Sequence, residues 1–507
     1  MLTERGGRNG ERYIDKKMRV LTIEPFNRLP PDARPFHNGS LGVLSLAGAL
    51  KQSGFETDYL DATIGDDNPN RIANEKGLIR RGASDEQIAE KVGDYDVVAV
   101  SSNYTQQTFS VLKIAEIVKE INPNALLIGG GTCFRSDPER FLKAGFDALG
   151  SGIEGEETIV SLLEAVENRE DWRETSGLLI LRNEQMVNTG TPKTTQDLDL
   201  LPFPAFEILP LENYWEMSVP HGGNYSAEQM VKDGPIETSR GCQFSCWYCH
   251  NSKIDTGIRF KSPRRVYEEV LSLKKLGVEW LSFADDSLLT KRRRAMDIFT
   301  AIEPLKMKLI MANGVNLVHL FKRKETGKLE VNRDLLELMA RAGLKQLVLP
   351  FESGSKRIID KYASRKWNPE TLDVVKLMQI ARELGIVVPG NFMIGFPDEN
   401  MEELNQTIKL AKRLRSEGLA YASFLIVTPY PETKLFDMAV AEGRLSSNFD
   451  PDGFHWGNPT MKTDIPAEEL LRVRHDVWRE INDSEFINEK LESQIIPERF
   501  ESQDKYK

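Results

Sequence analysis

The chain has 507 residues, 40% of them hydrophobic, enough to bury more than one core and to set an expectation of about two to four domains. A formal net charge of -11 argues against a duplex nucleic-acid binder, which ordinarily shows a basic face. Four cysteines are too few for a secreted disulfide scaffold and no apolar run reaches about 18 residues, so the expectation is a cytoplasmic protein with neither membrane nor nucleic acid as partner.

In chain order, residues 1–17 form a polar arm without the apolar stretch of a secretion signal. Residues 18–165 then alternate strands (20–23, 57–60, 97–100, 126–128 and a weak 147–150) with helices (Leu41–Gln52, stopped by Ser53-Gly54, and 111–121). That pattern predicts a doubly wound, Rossmann-like α/β domain whose ligand lies at the carboxyl ends of its strands. Those ends carry Ser101-Ser102-Asn103, Gly129-Gly130-Gly131-Thr132 and Gly152-Ile153-Glu154-Gly155-Glu156. Glycines let backbone approach a bulky ligand and hydroxyls donate to it, although a triple glycine after a strand is also an ordinary turn.

Residues 166–230 read as a hairpin (177–181 and 186–187) followed by a connector, Leu201-Pro202-Phe203-Pro204, whose prolines forbid a central strand or helix interior. Residues 231–445 hold a second series of strand-helix units. After the strand that delivers the cysteines come 280–283, 309–312, 347–351, 391–397 and 424–427, which together predict a partial six-stranded β/α barrel. Chemistry in such barrels gathers at the carboxyl ends of the strands, here Asp285-Asp286, Asn313-Gly314, Glu352-Ser353 and Gly395. The basic run Lys291-Arg292-Arg293-Arg294 reads as a solvated helix start. In the C-terminal extension, 446–507, residues 468–481 carry Leu470, Leu471, Val473, Val477 and Ile481 at helical spacing, and His455 and Trp456 are candidates for a substrate pocket or for plain packing.

Three of the four cysteines, Cys242, Cys246 and Cys249, fall within eight residues. Thiolates are soft ligands for zinc or for iron-sulfur clusters. Zinc completed by His250, or a disulfide pair, are the alternatives; three thiolates on a 4Fe-4S cluster would leave one iron open to bind another molecule.

The three-then-two spacing, with Tyr248 before the last cysteine, resembles the radical S-adenosylmethionine (SAM) superfamily. The preceding α/β domain, hairpin and proline connector resemble its cobalamin-dependent branch. The resemblance implies that Cys242, Cys246 and Cys249 hold the cluster and that Tyr248 flanks the adenine of SAM. It places Asp285 and Asp286 near the SAM amino end, with a helix cap as their other reading, and Asn313 among the cofactor contacts. Glu352 and Ser353 fall where ribose contacts lie, and Gly395 where strand backbone meets adenine. Ser101, Ser102, Gly129, Gly130 and Gly131 would hold the cobalamin tail, with Glu154 in the segment that closes the domain. The activity implied is methyl transfer from SAM, through methylcobalamin, to an unactivated carbon or phosphorus of a small-molecule substrate, with ferredoxin or flavodoxin as electron donor. A non-methylating cyclase or rearranging enzyme and a non-catalytic cobalamin or SAM sensor are the alternatives. A methylthiotransferase is disfavoured, because Cys133 stands alone in the first domain. His37 is the one histidine before residue 220, and without a carboxylate in motif position the expectation is cobalt with no histidine ligand.

Overall fold

The computed structural model describes residues 17–29, 40–65, 77–217, 231–254, 256–446, 449–454 and 457–482. His37, His455 and Trp456, and nearly all of the N-terminal arm, lie outside the described residues.

The first domain is one seven-stranded sheet. Its strands are β1 (Arg19–Glu24), β2 (Glu56–Asp61), β3 (Val97–Ser101), β4 (Leu126–Gly130), β5 (Ala148–Gly150), β6 (Leu178–Arg182) and β7 (Gln185–Asn188), in spatial order β2-β1-β3-β4-β5-β6-β7. The first five run parallel and read as apolar runs because helices cover both faces. The helices Leu41–Gln52 and Glu156–Glu167 share one face.

 Leu50 of Leu41–Gln52 packs there with Ile159, Leu162 and Leu163 of Glu156–Glu167, while Thr108–Ile121 covers the opposite face with Val111, Ile114 and Val118. The hairpin β6–β7 joins the same sheet, antiparallel to β5 through Leu149 and Leu179, so it belongs to this domain rather than to the connector. The proline connector is itself packed: Ala205 N–H donates to Leu44 O at 3.0 Å, and the Arg265 guanidinium lies 3.8 Å from the centre of the Phe203 ring.

The barrel strands are β8 (Asp233–Ile236), β9 (Trp280–Phe283), β10 (Lys308–Met311), β11 (Leu344–Leu347), β12 (Leu349–Glu352), β13 (Pro389–Ile394) and β14 (Tyr421–Ile426). The single strand expected over 347–351 is in fact divided at Val348, giving a four-stranded sheet β8-β9-β10-β11 and a three-stranded sheet β12-β13-β14. Pro350 has no N–H to donate, and the register slips between Pro350 and Glu352. Gln346 still bridges to Val387, so the wall continues across the break. The basic run does open a helix, Arg292–Ile302, with Lys291, Arg292 and Arg293 exposed, while the half-buried Arg294 donates from its guanidinium to the carbonyls of Lys261 and Thr238.

Beyond the barrel, Ala467–Arg472, the π turn Val473–Val477 and Trp478–Ile481 run on as one helix, with Leu470, Val473, Val477 and Ile481 buried as their spacing predicts. It lies on β14. Asn482 accepts from Ala422 N–H at 2.9 Å and donates to Ala422 O at 3.0 Å, and Arg474 donates to Phe424 O at 2.6 Å. Among the described residues, no helix is long and apolar enough to cross a membrane.

Candidate active site

The strand ends of both domains open onto one cavity of about 820 Å³. Ser101, Gly130, Gly131, Gly152 and Glu154 line it from the first domain, and Tyr248, Cys249, Asp286 and Asn313 from the barrel.

The cysteine loop hangs from a short ribbon in which Ser239–Arg240 pairs antiparallel with Arg259–Phe260. It turns at Gly241, where φ is +90° and a Cβ would stand 2.5 Å from Gly257 O, so only glycine fits. Trp247 then fixes the loop, donating from N–H to Tyr362 O at 2.9 Å and accepting from Leu435 N–H at 2.8 Å. Cys246 is buried and the other two thiols half-buried. Burial raises all three, pushing Cys249 up to about 12, and the thiols also act on one another electrostatically. Three soft donors that are costly to ionise alone suit a cationic cluster that would hold them as thiolates. Among the described residues, no three His, Cys, Asp or Glu side chains gather as ligands of a single ion would. Cys133 is fully buried in the first domain beside Thr108 Oγ1, at 3.6 Å.

The remaining sequence candidates divide into two sets. Asp286 and Asn313 reach the cavity, burial raising the Asp286 carboxyl and Asn313 donating to Ala284 O at 2.6 Å. Asp285 does not: it is 4% exposed and accepts from Thr238 N–H, Thr238 Oγ1 and Ser239 Oγ, which ties it to the strand before the cysteines. Glu352 is likewise withdrawn, accepting from Tyr248 OH at 2.8 Å and from Lys366 Nζ, and it holds a φ of +57°. Ser353 is fully buried against Thr407. Gly395 donates its N–H to Glu399 at 2.6 Å, and a Cβ there would meet Leu470 of the C-terminal helix at 2.7 Å, so it faces packing rather than the cavity. In the first domain Ser102 donates to Gln107 Oε1 at 2.7 Å, and a Cβ on Gly129 would strike the Phe134 ring at 2.4 Å. Both are core positions behind the lining residues.

Sequence reasoning missed Gln106, Thr256, Glu399 and Arg240, and weighed His250 only as a zinc ligand. Gln106 Oε1, His250 Nδ1 and Thr256 Oγ1 line the cavity as buried polar atoms with no hydrogen-bond partner among the described residues. They offer hydrogen bonds to an occupant. His250 is held neutral, burial lowering it to about 4. Glu399 is fully buried, and burial lifts it to about 8 while it braces the loop at Gly395. Arg240 bridges the domains through Glu154 and Glu156. The signal available for Arg240 was its place two residues before Cys242.

Comparison with known proteins agrees with both halves of this arrangement. The radical SAM superfamily model matches residues 236–411, and the B12 binding domain model matches residues 34–163. The chain is 30% identical to an uncharacterised methyltransferase of Pyrococcus horikoshii over 69% of its own length and 71% of that protein. It is 26% identical to cytidylyl-2-hydroxyethylphosphonate methyltransferase of Streptomyces wedmorensis, covering 86% of this chain and 84% of the relative. It is also 26% identical to an anaerobic magnesium-protoporphyrin IX monomethyl ester cyclase of Cereibacter sphaeroides, over 83% of this chain and 63% of that one. In fold it is similar to the radical SAM methyltransferase TsrM of Kitasatospora setae, with a TM-score of 0.66 and 17% identity across 92% of this chain and 90% of that one.

Proposed function

The chain belongs to the cobalamin-dependent radical SAM methyltransferase family, and from that premise we propose that it transfers a methyl group to an unactivated carbon, or to phosphorus, of a small molecule held in the interdomain cavity. The observation that carries this reading is the shared cavity itself, into which the cysteine loop and the glycine-rich strand ends of the first domain both open. When bound, the 4Fe-4S cluster and SAM supply a hydrogen-abstracting radical, and cobalamin supplies the methyl group. An unactivated carbon has no lone pair to attack an ordinary methyl donor, which is why such a reaction needs both.

The residues divide the work. Cys242, Cys246 and Cys249 would hold three irons, leaving the fourth to SAM. Asp286 and Asn313 face the same space and would orient the polar end of SAM. Ser101, Gly130 and Gly131 present a hydroxyl and bare backbone where the cobalamin tail would lie, and an added Cβ on Gly130 would meet nothing within 4 Å. Gln106, His250 and Thr256 would hold substrate by hydrogen bonds. A reduced ferredoxin or flavodoxin would supply the electron.

The cyclase relatives favour a second reading, in which the radical is formed but no methyl group moves. Counting products after anaerobic reconstitution and reduction separates the two. Methyl transfer requires S-adenosylhomocysteine and 5'-deoxyadenosine in comparable amounts; deoxyadenosine alone, with product formed, would support the cyclase reading instead.

A further inference from the structure

Arg240 and Arg259 stand directly opposite each other on the ribbon that carries the cysteine loop. Like charges in that relation repel, so the ribbon needs anions beside it. Two of those anions come from the other domain. Glu154 lies 3.1 Å from Arg240 Nη1 and 2.6 Å from Arg259 Nη1, and Glu156 accepts from Arg240 Nη2 at 2.8 Å and from Ser45 Oγ at 2.7 Å. Glu237, on the barrel side, takes Arg240 Nε at 2.8 Å. The side chains of Glu154 and Glu156 are each 7% exposed and that of Arg259 4%, so solvent screens these pairs little. Burial, the largest influence on Glu156, would raise it, yet the Arg240 charge and the hydrogen bonds from Ser45, Arg240 and its own backbone together outweigh burial and hold the carboxyl below its ordinary range.

Glu156 begins the helix Glu156–Glu167, whose N-terminus favours negative charge. Arg240 is followed by Gly241 and Cys242, so its planar fork fixes both the distance and the direction from which the cysteine loop leaves the first domain. All five charged groups also line the cavity.

We propose that Arg240 is a positioning residue that, with Glu154 and Glu156, sets the separation between the cobalamin and cluster sites across the cavity. The inference rests on the cofactor assignment above and adds to it a joint between the two halves. Small displacements at such a joint matter, because reacting groups misplaced by about 1 Å can lose on the order of a hundredfold in rate.

The test is the dipolar coupling between cob(II)alamin and the reduced cluster in reconstituted holoenzyme, measured by pulsed electron paramagnetic resonance with iron content as the loading control. Arg240→Met and Glu156→Gln should each broaden the distance distribution that is narrow in the parent protein. A distribution unchanged in both overturns the proposal. Should Arg240→Met lose iron, Glu156→Gln, altered on the other domain, decides by the same two results. In cofactor-free protein, amide exchange at residues 239–242 and 152–156 should quicken by about tenfold in Glu156→Gln, and unaltered exchange counts against the joint. A parent protein that binds no cobalamin overturns the functional reading itself, whereas a coupling that the variants retain overturns the joint alone.

Discussion

The two walls of the cavity are built by opposite means. On the first-domain side Ser101, Gly130, Gly131 and Gly152 present small side chains and open backbone. On the barrel side the most conspicuous carboxylates, Asp285, Glu352 and Glu399, are turned inward and occupied by Thr238 and Ser239, by Tyr248 and Lys366, and by the N–H groups of Gly395 and Phe396. A bulky ligand can be received by shape where side chains are absent. A loop of thiols must instead be held still, and the buried carboxylates do that from behind while Asp286 and Asn313 meet the cavity.

The sharpest way to break this contrast is at the thiols. Cys246→Ala should abolish reductive SAM cleavage and lower iron from about four per chain, since two thiolates do not hold the cluster. Stoichiometric zinc with undiminished activity would remove the premise. On the bracing side, Lys366→Met leaves the buried Glu352 with only the Tyr248 hydroxyl and no counter-charge, which should cost about 3–5 kcal/mol in denaturant unfolding. Adding Glu352→Gln should recover part of that loss; no recovery would mean that Lys366 acts through something other than the ion pair.

On the open wall, Gly131→Val forces a side chain onto a φ of +101° with its Cβ 2.3 Å from Ser102 O. The expected result is a stability loss of roughly 1–3 kcal/mol and about tenfold weaker cobalamin binding by equilibrium dialysis. Unchanged binding would separate this loop from the cobalamin site.

Glu399 tests the inward carboxylates by pH. Its folded value is raised from 4.5 to about 8 by burial, so the folded state binds the extra proton. The stability it confers is full below about pH 4.5 and is lost as the pH rises through about 8. Glu399→Gln keeps an acceptor for Gly395 N–H without the titration. Its melting temperature relative to the parent should therefore rise between pH 5 and pH 8, and a constant difference would refute the assignment. The smallest effect belongs to Cys133→Ser, which should leave iron content unchanged because that thiol is buried in the other domain.

Much of this was legible from the chain. All five parallel strands of the first domain, the barrel series and the C-terminal helix were readable because apolar periodicity reports burial directly. The strand ends were legible as places but not residue by residue. Asp285-Asp286 and Ser101-Ser102 each contain one lining residue and one brace, and because these pairs sit at or just past the strand ends, no strand alternation tells from sequence which is which. Arg240 and Glu156 lie 84 positions apart, and no local spacing announces that they meet. Pro350, with no donor to give, was visible in the sequence, but neither the break at Val348 nor the register slip after Pro350 could be read from it.

The contact of Asn482 with Ala422 has a consequence for how the protein behaves in company. β14 is the last strand of an incomplete barrel, and a bare strand edge is a template on which a second molecule can add its own. The Asn482 amide pairs with the Ala422 N–H and C=O as a neighbouring strand would, and Arg474 takes the next outward carbonyl, that of Phe424. The C-terminal helix thus occupies edge positions where a second molecule could add a strand. A chain cut before Ala467 should stick to its own copies, and more steeply so as its concentration rises.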